Sequence, residues 1–189
     1  MSIEPFYGDW RLYNDLIVEG LRGMSPEELA LRAVPDDAAR ADASASWPIW
    51  AIAGHAAATR VYWLCSFLGL PGRESTPFAG MEDDGWEDHL DQPRSAEELV
   101  AGWTTTWAIV AHALRSWTPE TLDEPMSPDG EQAAAHLTRR SLIHRLMFHE
   151  AFHAGEIAVI QAIHGRPQID LWPPGYHTVE AAKARAAER

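Results

Sequence analysis

The sequence is poor in residues that several classes of protein need. Its single cysteine, Cys65, excludes an internal disulfide and a cysteine-rich zinc cluster. It has one lysine, Lys183, and a formal net charge of −13, whereas surfaces that bind nucleic acid or anionic membranes carry clustered basic residues. No apolar run approaches the roughly 20 residues of a transmembrane helix. We therefore expect no nucleic-acid partner and no membrane partner.

The composition is nevertheless that of a folded chain. Of the 189 residues, 46% are hydrophobic and nine are tryptophan, which is enough for one sizeable core in a chain short for two domains. We interpret residues 1–189 as a single domain. The first five residues have neither the basic region nor the apolar region of a signal peptide, so we expect a cytoplasmic location.

Apolar residues recur at helical spacing in four long segments, and no alternating strand pattern is visible. The long helices are predicted at residues 5–23, 46–68, 95–117 and 138–164. Ser25 and Ser95 each precede a glutamate by three residues, as in a capping box, and Gly165 followed by Pro167 ends the last long helix. This pattern predicts an all-α four-helix bundle with long crossover connections.

The remaining segments are predicted as connections. Residues 36–45 are interpreted as a surface loop, 166–177 as a non-helical tail and 179–187 as a terminal helix. The connection at 72–94 is long for a compact domain, which is typical of a lid, a binding loop or disorder.

The fourth long helix carries two histidines within an apolar stripe. The residues that follow the spacing of one helix face are Leu142, Leu146, His149, His153, Ile157 and Ile160. An imidazole in an apolar seam costs a few kcal/mol unless its polar atoms are paired. One metal ion would pair with both rings.

The same residues fit the His-Glu-x-x-His pattern of zinc metalloproteases, in which the glutamate is the general base. Along a helix, Glu150 is turned by about 100° from His149, which places it on the flank with Ile143 and Met147. The absence of strand patterns disfavours the protease interpretation. Glu150 and Glu156 are instead candidates to orient an imidazole.

A catalytic zinc usually takes three protein ligands, so a third donor is needed. His55 lies mid-helix on a stripe with Ile52, Thr59 and Tyr62, and is therefore predicted to point into the bundle. The other histidines lack such a context and are predicted at the surface, in loops or at the bundle rim: His89, His112, His136, His144, His164 and His177.

These motifs resemble those of the DinB-like family. The resemblance rests on Trp50-Ala51-Ile52-Ala53-Gly54-His55 followed by Tyr62-Trp63, on His149-x3-His153-Ala154-Gly155-Glu156-Ile157, and on the Gly165-x-Pro167 ending. It covers essentially the whole chain in element order. Ala154 and Glu156 depart from the family pattern, which has a basic residue and a glutamine around the second histidine pair.

The resemblance implies a four-helix bundle, often dimeric, with a divalent metal on His55, His149 and His153. Zinc is the metal expected first and nickel the alternative. Better understood members of the family are S-transferases and isomerases that use bacillithiol, mycothiol or glutathione. We therefore expect a homodimer that takes a small electrophile and a low-molecular-weight thiol as substrates.

Two other functions stay open. One is a metal-dependent hydrolase with Glu150 or Glu156 as the base, and the other is a non-enzymatic, stress-associated binding protein. Arg60 is a weak candidate for contacting an anion or thiolate, although an arginine at such a position is more often salt-bridged. Cys65 is predicted to be a buried thiol rather than a nucleophile.

Aromatic residues are divided between the core and the site. Trp10, Trp63, Trp103 and Trp107 fall on apolar stripes and are predicted core residues. Trp47, Trp50, Trp86 and Trp172 lie near helix starts or in loops and are predicted to line the rim of an open site. Three residues are weak candidates for substrate binding: Trp47, Trp50 and Tyr62.

Overall fold

A computed structural model describes residues 1–34, 47–81, 84–126 and 137–172, together with Lys183. These residues form five α-helices: α1 (Gly8–Arg22), α2 (Pro26–Leu29), α3 (Ile49–Val61), α4 (Ala96–Ser116) and α5 (Arg139–Ile163). No strand occurs in this part of the chain; an isolated bridge joins Pro125 to Thr138. The predicted all-α class is confirmed.

The four long helices pack as a bundle. Helix α3 contacts both α4 and α5, and α1 contacts α4. Apolar side chains from all four fill the interior, and the fully buried ones include Leu21, Ile49, Leu99 and Leu142. None of the helices in the described ranges is both long and apolar enough to cross a membrane.

The helix ends follow the predicted capping signals. Ser25 and Ser95 each accept a hydrogen bond from the backbone N–H of the glutamate three residues on, which completes a capping box. Thr138 caps α5 in the same way. Gly165, after the end of α5, has a φ of +65°, a left-handed conformation that glycine adopts without strain.

The second long helix differs from its predicted form. The α-helix ends at Val61, and a π-helix of six residues, Tyr62–Phe67, continues it. A π-helix has a wider turn and occurs mostly in single turns, frequently at functional sites. It changes the direction of the side chains that follow Val61, which α-helical spacing alone could not predict.

The long connection predicted as a lid, a binding loop or disorder packs against the bundle in its described residues, 72–81 and 84–94. Short 3₁₀ turns form at Arg73–Ser75 and Trp86–Asp88. Phe78 and Trp86 are buried with their ring centroids 4.6 Å apart. The expectations for residues 36–45 and 179–187 lie outside the described residues, apart from helical Lys183.

Candidate metal centre

Helices α3 and α5 bring the three predicted histidines together. His149 Nε2 lies 3.1 Å from His55 Nε2 and 3.1 Å from His153 Nε2. The four-residue spacing places His149 and His153 one above the other on α5, and His55 meets them from α3. One nitrogen from each ring thus converges on a single point, and the three histidines could hold a metal ion.

Two carboxylates hold two of the rings by their other nitrogen. Glu87 contacts His55 Nδ1, and Glu156 Oε2 lies 2.5 Å from His153 Nδ1. A carboxylate accepts a hydrogen bond, so each Nδ1 carries the proton and each Nε2 presents its lone pair to the centre. This is the arrangement in which metal-binding histidines are usually held.

The third ring has no such support. His149 Nδ1 is buried and finds no hydrogen-bond partner in the described part of the chain. Burial, and after it the nearby imidazoles of His153 and His55, lower the pKa of His149 to about 4. Burial, then the His55 ring, lowers the pKa of His153 to about 4. Both rings are therefore neutral at neutral pH, the form that binds a metal.

The spacing of the nitrogens fits a shared metal ion. Two imidazole nitrogens bound to one tetrahedral zinc at about 2.0–2.1 Å lie roughly 3.3 Å apart. The two measured separations of 3.1 Å are close to that value. With Nδ1 protonated on both other rings, His55 Nε2 and His153 Nε2 each present a lone pair toward His149 Nε2, and the single proton of a neutral His149 can serve only one of them, whereas one cation would pair with all three.

A cavity of about 370 Å³ opens beside the three histidines. Its wall includes His55 and His149, so a ligand in the cavity can reach the convergent nitrogens. The π-helix contributes Tyr62, Trp63 and Ser66 to the same wall. Three protein ligands next to an open cavity are typical of a catalytic rather than a structural metal site.

The structure divides the candidate substrate-binding residues. Tyr62 lines the cavity and is about half exposed. The ring of Trp47 lies 5.1 Å from that of His55, at the edge of the site. Trp50 does not line it: the side chain is 2% exposed, because the first turn of α3 faces the core. The prediction for Trp50 was therefore wrong.

Arg60 and Glu150 lie apart from the cavity in a buried ion pair. Arg60 Nε and Nη2 donate to the two Glu150 oxygens at 2.7 and 2.9 Å. Trp10 Nε1 also donates to Glu150, at 2.8 Å. Both residues therefore support the fold. Arg60 does not lie at the cavity as a contact for an anion or thiolate, and Glu150 does not lie there as a base. Glu150 does lie on the predicted flank of α5, off the face that carries the histidines, but that flank is buried in the bundle.

Three of the six other tryptophans with a predicted position follow it. Trp10, Trp103 and Trp107 are core residues, whereas Trp63 is only partly buried and lines the cavity. Trp86, in the loop, is buried against α3, and Trp172 is exposed beside Tyr13, so the predicted rim position is wrong for both.

The remaining histidines and the cysteine agree with expectation where the structure describes them. His112, His144 and His164 are exposed, and His89 pairs with Asp84 in a loop. His136 and His177 lie outside the described residues. Cys65 is buried, and burial raises the pKa of its thiol, so the predicted unreactive thiol is supported.

Sequence reasoning missed one residue that touches the site directly. Glu87 reaches His55 from the connection between α3 and α4, which carries seven acidic residues between positions 72 and 94. The available signal was Trp86 beside it, an aromatic residue able to anchor that part of the loop. Nothing in the spacing distinguished Glu87 from the other six acidic residues.

Comparison with known families gives one match. The model of the DinB superfamily matches residues 14–157, a range that includes all three histidines. No curated protein and no solved structure matches the chain.

Proposed function

The chain belongs to the DinB superfamily, and from that premise we propose that His55, His149 and His153 hold one divalent metal ion as a reaction centre. Zinc is our first assignment and nickel the alternative, since imidazole suits both. The observation that carries the proposal is the convergence of three Nε2 atoms beside a cavity of about 370 Å³.

Each side chain around the centre has a defined task in this proposal. Glu87 and Glu156 fix the tautomer and the orientation of His55 and His153. The half-exposed Tyr62 lines the cavity and the Trp47 ring packs beside His55, so both can contact a bound substrate. The chain's one thiol does not serve the cavity, because Cys65 is buried with a raised pKa and does not line it.

We therefore propose that the nucleophile comes from outside, as a low-molecular-weight thiol that reacts with a small electrophile. The metal would supply Lewis acidity that lowers the pKa of a bound thiol. The protein holds both reactants in the cavity and excludes water from them. The reaction class is S-transfer, or isomerisation through reversible thiol addition.

The hydrolase alternative finds less support in the geometry. Glu150 is fully engaged by Arg60 and Trp10, and Glu156 is engaged by His153 Nδ1. Neither carboxylate is placed to take a proton from water in the cavity. A non-enzymatic binding role remains the second alternative, and the second test below distinguishes it from the two enzymatic functions.

The first test asks whether the protein binds metal through these residues. Native mass spectrometry of the purified protein should show one divalent ion per chain, and His149→Ala should remove it. His144→Ala is the matched control, since His144 is an exposed histidine on the same helix. Metal-free wild type, or a His149→Ala variant that keeps its metal, would refute the site.

The second test separates the three functions. The cobalt-substituted protein is titrated with glutathione, mycothiol or bacillithiol while its absorption spectrum is recorded. We expect a sulfur-to-cobalt charge-transfer band at saturating thiol and turnover of an electrophile only when thiol is present. Turnover of an ester or amide without thiol would favour the hydrolase, and metal binding with neither effect would favour the binding protein.

We also propose that the chain forms a homodimer through α5. Phe148, Phe152, Val159 and Ile163 lie along that helix and are 56–74% exposed. A second copy of the same face would bury this apolar stripe. Light scattering after size exclusion should give twice the chain mass, and Phe148→Glu with Phe152→Glu should halve it; a monomeric wild type would refute the dimer.

A further inference from the structure

The cavity beside the three histidines contains two arginines that stand out from the rest. Eight other arginines of the described chain each form an ion pair with a carboxylate. Arg73 and Arg145 line the cavity, and neither pairs with a carboxylate within the described ranges. Arg145 is exposed and Arg73 is partly buried, so a ligand that enters the cavity meets two cations not neutralised by a carboxylate of the described chain, although the net charge of the whole sequence is −13.

We propose that Arg73 and Arg145 bind a carboxylate group of the small-molecule substrate. The proposal rests on the proposed function, since it places that substrate beside the three histidines. It also narrows the substrate class from any small electrophile to one that carries a carboxylate.

Arg145 is positioned by its helix and by an aromatic ring. It precedes His149 by four residues on α5, so it lies one turn away on the same face. Its guanidinium lies over the Trp63 ring, with the central carbon 4.7 Å from the ring centroid. This stacking orients the planar group and leaves its edge available for hydrogen bonds.

Arg73 is carried by the turn Arg73–Ser75 and contacts the same π-helix that holds Trp63. Its Nη1 donates to Ser66 Oγ at 3.2 Å, which anchors one edge of the guanidinium. Its Nε is buried and has no acceptor in the described part of the chain. A buried nitrogen is not reached from the cavity, so a ligand carboxylate would bind at Nη2, which makes no hydrogen bond in the described chain and is not buried.

The protein itself shows how its arginines hold carboxylates. Arg60 grips Glu150 through Nε and Nη2, at 2.7 and 2.9 Å. Arg140 grips Asp123 through the same two nitrogens, also at 2.7 and 2.9 Å. This side-on, bidentate geometry is specific for a planar carboxylate. Arg73 has its Nη1 occupied, as Arg60 does, but has no carboxylate.

The acidic groups of the cavity do not neutralise the arginines. Asp84 Oδ2 lies 2.6 Å from His89 Nε2, and Glu87 contacts His55. Glu87 Oε2 is buried without a partner in the described chain, so it repels an anion from that part of the wall. A carboxylate is therefore directed to the end of the cavity where Arg73 and Arg145 lie.

Calorimetric titration of the full-length, zinc-loaded protein with glutarate tests this proposal. We expect glutarate to bind and its uncharged dimethyl ester not to bind. Arg73→Gln and Arg145→Gln should each weaken binding by about 10-fold or more, because a charge-assisted hydrogen bond is lost. Arg73→Lys should give an intermediate loss of glutarate affinity, since lysine keeps the positive charge but lacks the planar guanidinium with its several donors. Arg22→Gln, at an exposed arginine paired with Glu19, is the control.

Two further titrations separate this proposal from the proposed function. After removal of the metal, glutarate binding should persist and stay dependent on both arginines. Binding that vanishes with the metal, or that ignores the arginine substitutions, would overturn the proposal. Tighter binding of inorganic phosphate than of glutarate would overturn the carboxylate assignment. A protein that never held metal but kept arginine-dependent glutarate binding would refute the metal centre and support this site.

Discussion

Helices α3 and α5 carry two polar clusters side by side, and their construction differs. His149 and Glu150 are consecutive on α5, whereas His55 and Arg60 are five residues apart on α3. The cluster around Arg60 is closed: all three guanidinium nitrogens donate, to Glu150, Asn14 and neighbouring oxygens. Such a cluster can be left inside a protein because its charges and donors are matched.

The histidine cluster is open by comparison. Its outer nitrogens are held on two of the rings, but its three inner nitrogens face one another with two acceptors fixed and at most one proton, that of His149, between them. No other residue of the described chain donates to them. The contrast shows how a buried polar cluster that supports the fold can be told from one that binds a ligand. A closed cluster stabilises the fold, whereas an open cluster with supported rings is built for a ligand from outside.

The largest expected effect comes from breaking the closed cluster. Arg60→Met leaves the Glu150 carboxylate buried without its cation and should lower the free energy of unfolding by about 3–5 kcal/mol. Adding Glu150→Gln should restore much of this loss, because the charge is removed while an acceptor for Trp10 remains. Urea unfolding measures both. Arg11→Met, in an exposed pair with Asp15, should change stability by only about 0.5 kcal/mol. A loss below 1 kcal/mol in Arg60→Met would contradict the structural role.

The open cluster should stabilise the fold only when it is filled. At a free zinc concentration 100 times the dissociation constant, we expect the wild-type protein to gain about 2.7 kcal/mol in unfolding free energy. His149→Ala should gain nothing from zinc. In metal-free solution it should lose less stability than Arg60→Met, since it removes a nitrogen that has no partner. Equal zinc-induced gains in both proteins would show that the metal binds elsewhere.

A smaller effect is expected from the carboxylates that support the rings. Glu87→Ala and Glu156→Ala should each weaken metal affinity by about 10–100-fold, because His55 and His153 lose the acceptor that fixes their tautomer. Competition with a chromophoric chelator measures the change. Glu97→Ala, at an exposed position in the first turn of α4, should leave the affinity unchanged. Unchanged affinity in both the Glu87 and the Glu156 variant would mean that the contacts are incidental.

The smallest effect is expected at Cys65, which lies in neither cluster. Cys65→Ala removes a small buried side chain and should cost about 1 kcal/mol of unfolding free energy. Metal affinity and the thiol-dependent charge-transfer band should not change. A lost band would show that the reacting sulfur belongs to the protein.

The sequence predicted the ligand face because that face is a local property. The 3.6-residue period places His149 and His153 in the apolar stripe of α5, and the same period points His55 inward from α3. Capping signals likewise determine the ends of α4 and α5 within a residue or two. These features depend on residues at most a few positions apart.

What the sequence could not predict depends on distant partners. Arg60 and Glu150 are 90 positions apart, so nothing local indicates that the flank carrying Glu150 is buried against α3. Glu87 meets His55 only because Phe78 and Trp86 anchor the loop in the core. The π-helical turn after Val61 was also invisible, since Tyr62 and Trp63 fit an α-helical stripe equally well.

The contact between Gly54 and Trp86 has a consequence for how metal affinity can vary. A side-chain carbon at position 54 would lie 2.6 Å from the Trp86 ring, so the loop seats on α3 only where a glycine precedes His55. The next residue in each segment, His55 and Glu87, completes the metal centre. Loop docking and metal capture are thus linked equilibria, and each must strengthen the other by the same factor. Sequence changes in the loop can therefore tune metal retention without altering any ligand.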